Sequence, residues 1–505
     1  MHKTLPALAL FLAALPGRAP AETIDEAVSA ALRDKGIKAA APCSDETFVR
    51  RVFLDVIGKL PEPEEVRSFV DDKRPEKRAA LIDALLVRPE FADYWSMKWC
   101  DLLRVKSEFP INLWPNAVQA YHRWVHEALR ENRPYDEVAR ELLTSSGSNF
   151  RVPPVNFYRA VQGRAPADLA AAAALTFMGA RLDKMPKDRA ANLEVFFSRV
   201  AYKPTSEWKE EIVLLNPAPV EAVQATLPDG KAVTLRFEDD PRRVFADWLI
   251  TRENPWFARA VANRVWAWLL GRGIVNEPDD IREDNPPSNP ALLAVLEKEL
   301  AGSDWDLRHL YRVILNSRAY QASSIPASDH PEAGNLFAHA RVRRLDAEVI
   351  VDVVGGILNA HEEYSSPIPE PYTFIPTENP CVLLPDGSIT SSLLEMFGRP
   401  ARDTGLFSER NNECTDAQRL FLLNSSVVQT KLQSSPKLRR LMQGVRGDVP
   451  GFVRELYLLI LARTPTQEEE KAARAYMKTP GLNPKQAADD LAWALLNTKE
   501  FLFRH

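Results

Sequence analysis

The chain is poor in the features that announce a reaction. Its 505 residues hold only four cysteines, Cys43, Cys100, Cys381 and Cys414, too few for a disulfide scaffold at this length. Three pairings are open to them; we expect Cys43 with Cys100 and Cys381 with Cys414, because each pair falls within one block of the chain. No two cysteines stand in Cys-x-x-Cys spacing, which excludes covalent haem and a four-cysteine zinc site. A glycine-rich phosphate loop, a Gly-x-Ser-x-Gly elbow and a locally patterned Ser-His-Asp set are all missing, so no nucleophile announces itself. No metal and no cofactor are expected. Positive charge is also short, with 64 Lys and Arg against 69 Asp and Glu. Nucleic acid is therefore not an expected partner, since phosphate contacts require clustered Lys and Arg. Beyond the N-terminus no apolar run approaches the about 20 residues that span a bilayer.

What is present begins with export. MHKTLPALALFLAALPGRAPA has a basic start, an apolar run from Leu5 to Leu15, and Ala19-Pro20-Ala21 before Glu22. This is the three-part pattern of a secretory signal peptide. We expect residues 1–21 to be removed and the mature chain to be secreted or periplasmic, with no transmembrane segment. The net charge of -5 becomes -7 when Lys3 and Arg18 leave with the signal.

Helical signals dominate the rest. SDETFVRRVFLDVIGKL spaces Phe48, Val52, Val56 and Ile57 along one helix, and LPEPEE restarts with prolines and acids in a first turn. Strand signals appear in two places: EEIVLLN with VEAVQATLPDGKAVTLRF, turning at Pro228-Asp229-Gly230, and VLLPDGSIT. The expected fold is mainly α, with two helical domains at 22–205 and 241–505, a β-hairpin connector at 206–240, and a long irregular loop at 364–412. Short strand is expected near 211–237 and 382–390. The ends also echo one another. FVRRVFLDVIGKLPEPEE at 48–65 aligns without a gap on FVRELYLLILARTPTQEE at 452–469, and LLVRPEF at 85–91 on LLNTKEF at 495–501, with a partial copy, LNSRAY, at 315–320. The unit is an apolar helix, a proline-punctuated turn and a capped second helix, with a Thr466 to Glu469 capping box in the last copy.

RRVFLDVIGKLPEPEE, FADYWSMKW, ENPWFARAVANRVWAWLLGRGIV, DNPPSNP, LYRVILNSRAYQ, RRLDAE and RPARDTGLFSERNN together resemble exported, cytochrome-associated domain families of unknown function abundant in planctomycetes. The resemblance pairs a PSCyt-type domain over roughly 40–205 with a PSD-type domain over roughly 240–500. It implies export and frequent association with c-type haem modules, and no established reaction. Many members of the first family carry Cys-x-x-Cys-His shortly before an aromatic pair. Here the corresponding stretch between Gly179 and Phe196 is ARLDKMPKDRAANLEV. It lacks the thiols and the histidine that haem attachment needs.

Other candidate groups are individually bland. His122 and His126 stand one helical turn apart without the glutamate of His-Glu-x-x-His, a spacing that serves packing as readily as a metal. Trp95 with Trp99, and Trp266 with Trp268, can stack on sugar rings, but beside Leu and Val at helical spacing they are expected in the core.

The densest polar stretch is FGRPARDTGLFSERNNECTDAQ at 397–418. Arg399, Arg402 and Arg410 can hold carboxylate or sulfate groups in bidentate fashion, with Asn411 and Asn412 as neutral donors for hydroxyls. The same side chains can instead satisfy loop carbonyls and pin the loop by ion pairs. Two functions follow. One is a non-catalytic binding or assembly component with a protein or carbohydrate partner and an anionic ligand. The other is an extracellular hydrolase of a polysaccharide, sulfated or not, with Asp403 and Glu409 as acid and base. The second would require carboxyl groups about 5 to 10 Å apart across a cleft.

Overall fold

The computed structural model describes residues 23–108, 113–218, 221–375, 378–424, 426–445 and 447–505; the expected signal peptide at 1–21 lies outside them. The fold is mainly α, with 24 α-helical segments among the described residues. Helices start where the sequence supplies a cap or a proline. Ser44 caps Asp45–Val56 by accepting the Thr47 N–H at 3.2 Å, and Pro89 opens Pro89–Leu102. Asp240 accepts the Arg242 N–H ahead of Pro241–Leu249. Thr466 and Glu469 close a reciprocal capping box on Gln467–Met477. No helix among the described residues is long and apolar enough to cross a membrane.

Strand is confined to small sheets. Val200–Pro204 and Glu211–Leu215 pair antiparallel, with Gly147–Ser148 on the far edge of the second. Val223–Thr226 and Ala232–Leu235 form the expected hairpin about Pro228-Asp229-Gly230, where Gly230 takes φ 90. The strand expected at 382–390 does not form. Asp386 Oδ1 accepts the N–H groups of Ser107 and Ser388 at 2.8 Å each, and the Gly387 N–H donates to the Val105 carbonyl at 3.1 Å. That turn is thus spent docking the irregular loop on the N-terminal half, and pairing shrinks to a single antiparallel bridge between Thr390 and Ser365. A pairing invisible in the sequence joins Arg343–Arg344 to Phe503–Arg504.

One continuous apolar core runs through both halves. At its centre Trp95 and Trp99 pack on Trp268, with ring centroids 5.7 and 5.4 Å apart, and Trp95 on Tyr311 at 4.3 Å. The tryptophan pairs are therefore core, as their spacing suggested. The expected disulfides do not form: all four cysteines are free. The Cys381 thiol sits 3.0 Å from the Tyr364 hydroxyl, and Cys414 is exposed on the surface.

Candidate functional site

Four segments distant in sequence meet where the two halves join. Pro89–Leu102 brings Lys98 and Asp101. Asp346 immediately precedes Ala347–Leu358, with its side chain turned to other partners than the helix end, and that helix carries Glu348 in its first turn. The irregular loop brings the arginines of 397–412, and the last residues of the chain bring Arg504. Each carboxylate is shared. Asp101 Oδ1 accepts from Arg402 Nε at 2.9 Å, and its Oδ2 from Arg410 Nη2 at 2.7 Å. Glu348 receives Arg410 in a bidentate fork at 2.6 and 3.0 Å. Asp346, with no solvent exposure, accepts from Lys98 Nζ and Asn412 Nδ2 at 2.8 Å each, Tyr94 OH at 3.0 Å and Arg504 Nη2 at 3.1 Å.

These contacts set the charge states. Burial alone would raise the Asp346 carboxyl, but Lys98, Arg504 and Arg410 outweigh it and hold it well below the usual carboxylate range. Burial is likewise outweighed at Glu348, where Arg410 and Arg399 bring the carboxyl down to about 2. Lys98 moves the other way: burial, then repulsion from Arg410, pushes its ammonium down to about 8. Asp346 and Glu348 therefore stay charged at ordinary pH, while the Lys98 ammonium is brought toward neutral pH.

A cleft of about 160 Å³ opens on this network, lined by the basic groups of Lys98, Arg264, Arg343, Arg410 and Arg504 and by only two acids, Asp101 and Asp346. Trp268, Leu406 and Phe407 supply an apolar wall, and Asn412 a neutral amide. Behind the lining, Arg343 lies 2.9 Å from Asp55, Arg504 Nε 2.9 Å from the same carboxylate, and Arg264 is paired with Asp279. Adding Arg399 and Arg402, six cations (Lys98, Arg343, Arg399, Arg402, Arg410 and Arg504) face four carboxylates (Asp55, Asp101, Asp346 and Glu348) across the connected ion pairs, with Arg264 and Asp279 a separate, balanced pair. The surplus is positive, and it belongs to groups that are mostly buried, with Arg343 and Arg410 keeping side-chain exposures of 18% and 9%. Such a cleft can take a small anion at low reorganisation cost.

The sequence candidates divide. Arg410 and Asn412 line the cleft. Arg402, 1% exposed, is turned away from it: besides Asp101 it donates to the carbonyls of Pro385 and Val105. Arg399 donates to the carbonyls of Asp386, Gly387 and Ile389. Both pin the irregular loop. Asn411 is exposed and accepts the Glu413 N–H at 2.9 Å. Asp403 pairs with Lys106 Nζ at 2.5 Å. Glu409 accepts the N–H groups of Asp403, Thr404 and Gly405. Asp403 and Glu409 thus close one turn on each other, and neither lines the cleft. His122 is buried, and its ring is driven down to about 3 by desolvation, while His126 Nε2 is 2.8 Å from Asp93 Oδ1. The two rings do not share a ligand position.

Lys98, Asp101, Asp346, Glu348 and Arg504 escaped the sequence reading as site residues. For the first four the signal was present as charge inside apolar helical text, in WSMKWCDLL and RRLDAEVIV, and such charge is rare unless paired.

Fold and cleft together define a mainly α-helical protein with an arginine-lined site at the junction of its N- and C-terminal halves. Residues 23–184 match the family model PSCyt2, a protein of unknown function (DUF1549), and residues 241–477 match PSD1, a protein of unknown function (DUF1553). The chain thus carries the PSCyt and PSD pairing that its motifs resemble. No curated protein and no solved structure matches.

Proposed function

We propose that this is an exported, non-catalytic binding or assembly protein whose junction cleft holds a small anionic group, of the kind carried by an acidic or sulfated carbohydrate. The observation that supports this reading is the imbalance of the lining, five cations to two carboxylates around about 160 Å³. The apolar wall of Trp268 and Phe407 suits a ligand with a ring or carbon body behind its charge. Arg410 contributes a guanidinium anchored on both Asp101 and Glu348, while Lys98 and Arg504, both held on Asp346, add a point donor and a planar one to the lining.

The reading is tested by thermal shift at constant ionic strength with galactose 6-sulfate, glucuronate and sulfate, each against its neutral counterpart or chloride. A ligand that binds only the folded state raises stability by about 2.7 kcal/mol at a hundred times its Kd. We expect the anions to raise Tm, the neutral sugars not to, and Asn412→Ala with Lys98→Met to suppress the response. Equal shifts from neutral sugars, or an undiminished response in the Lys98→Met protein, would remove the cleft from consideration.

A further inference from the structure

Away from the cleft, three aromatic rings from separate parts of the chain gather at the surface. Trp114 precedes the helix Pro115–Arg130, Trp208 lies in the turn between two paired strands, and Tyr372 belongs to the irregular loop. Their ring centroids are 4.6 Å apart for Trp114 and Trp208, and 5.6 Å from each to Tyr372. Trp208 remains 62% exposed, Tyr372 50%, and nearby in sequence Phe374 63%. Most of the other tryptophans are buried or half-buried in the core, so this exposure is not a shortage of interior space.

The cluster is also held in place. Lys209 Nζ lies 5.3 and 5.8 Å from the centroids of Trp114 and Trp208, and 3.1 Å from Glu108. Both members of that ion pair have left-handed backbone, φ 49 at Glu108 and φ 64 at Lys209. Neither is glycine, and such strain persists only where the surroundings impose it, often at ligand-binding sites. The strained turn at Lys209 presents the Trp208 ring outward.

We infer that Trp208 and Tyr372, their planes inclined 63° to one another and each set at 59 to 67° against the half-buried Trp114, form a stacking site for the pyranose rings of a polysaccharide chain. Aromatic faces carry a negative quadrupole that attracts the weakly positive C–H faces of sugar rings. Lys209, whose ammonium stands over one side of the Trp114 and Trp208 rings, and its partner Glu108 offer hydrogen-bonding groups for hydroxyls beside the faces left open. Size argues against a second copy of this chain. At about 150 to 250 Å² for a whole aromatic side chain, the exposed parts of Trp208, Tyr372 and Phe374 amount to roughly 350 Å². A stable protein interface needs about 800 Å² on each partner. The inference rests on no property of the cleft, and a neutral glycan is sufficient to test it.

The test is affinity electrophoresis of the mature chain in native gels containing hydroxyethylcellulose, xylan, galactomannan or laminarin. Expected is retardation by at least one of these, weakened about fivefold or more by Trp208→Ala and by Tyr372→Ala, and largely restored in Trp208→Phe. Because both rings are exposed, the melting temperatures of the variants should match the parent, which separates lost stacking from lost folding. Unretarded parent protein in all four gels would overturn the inference, as would retardation that both alanine variants retain. Sedimentation showing a dimer that Trp208→Ala dissolves would reassign the patch to self-association.

Discussion

The hairpin at 45–71 and its echo at 449–477 are built alike and used differently. In both, an apolar helix ends in a turn and an acid in the next helix's first turn accepts the cap residue's N–H, Glu65 from Glu62 at 2.9 Å in the first and Glu469 from Thr466 at 2.8 Å in the last, where Thr466 also completes a capping box. Even the ion pair that ties each turn to the end of its unit recurs at aligned positions, Lys59 with Glu90 at 3.3 Å and Arg463 with Glu500 at 2.6 Å. The contrast lies inside. Where the last copy has Leu459, the first has Asp55, 3% exposed, bound to Arg343, Arg504 and the Tyr320 hydroxyl. Where the last copy leaves Arg454 at the surface, the first buries Arg50, which donates to the carbonyls of Ile460, Glu500 and Phe501. The helix after the echoed LLVRPEF runs on to Leu102 and delivers Lys98 and Asp101, whereas its counterpart stops at Leu502. One copy is scaffold, and the other supports the cleft.

That division can be broken most severely at Asp55. Asp55→Leu imports the residue of the echo and leaves Arg343 and Arg504 short of a buried counter-charge, a loss of about 3 to 5 kcal/mol by urea denaturation. Leu459→Ala should cost about 2 to 5 kcal/mol through its cavity, yet retain the anion response of the surviving protein. Asp55→Leu should lose both stability and response. If the two variants bind anions equally well, the first copy has no special relation to the cleft.

A finer split separates two arginines of the irregular loop. Arg402→Ala and Arg410→Ala each strand part of Asp101, and each should cost about 3 to 5 kcal/mol. Arg410 faces the cleft and Arg402 does not. Isothermal titration with galactose 6-sulfate should therefore find binding lost in Arg410→Ala and, below the melting transition, preserved in Arg402→Ala. Loss in both would mean that the loop acts on the cleft only as a unit.

Protonation offers a gentler probe. Lys98 is pushed down to about 8 by burial and by Arg410, so its charge is present at pH 7 and mostly gone at pH 9. The attraction exists below that pKa and is lost as pH rises through it, which weakens binding of a fixed-charge sulfate ester by about tenfold at most between these values. Lys98→Met should flatten the profile. A profile equally steep without Lys98 assigns the titration elsewhere.

The smallest effect belongs to the last copy. Arg463 bridges Glu469 and Glu500 at the protein's rim, with side chains 22 to 34% exposed. Arg463→Ala should cost about 1 kcal/mol or less, decreasing with salt, and leave anion binding unchanged.

The sequence disclosed what is local. Caps, prolines and apolar periodicity placed the helices, the Pro228-Asp229-Gly230 turn placed one hairpin, and the charge density of 397–418 singled out Arg410 and Asn412. The second Pro-Asp-Gly turn misled because Asp386 and Gly387 bond to Ser107 and Val105, far away in the chain. Arg402 and Arg399 read as ligand groups for the same reason: their true acceptors are carbonyls that no pattern marks. The cleft itself was hidden because Asp346 meets Lys98 from 248 positions away and Arg504 from 158. Such pairings follow from packing, which spacing along the chain does not encode.

Selenate soaked into crystals of the mature protein, located by anomalous scattering at the selenium edge, addresses the cleft most directly. Expected is a peak within hydrogen-bonding reach, about 3 Å, of Arg410 and of Lys98 or Arg504, and its disappearance in Lys98→Met crystals. An empty cleft at saturating selenate, or peaks confined to surface arginines such as Arg463, would contradict the anion-site reading.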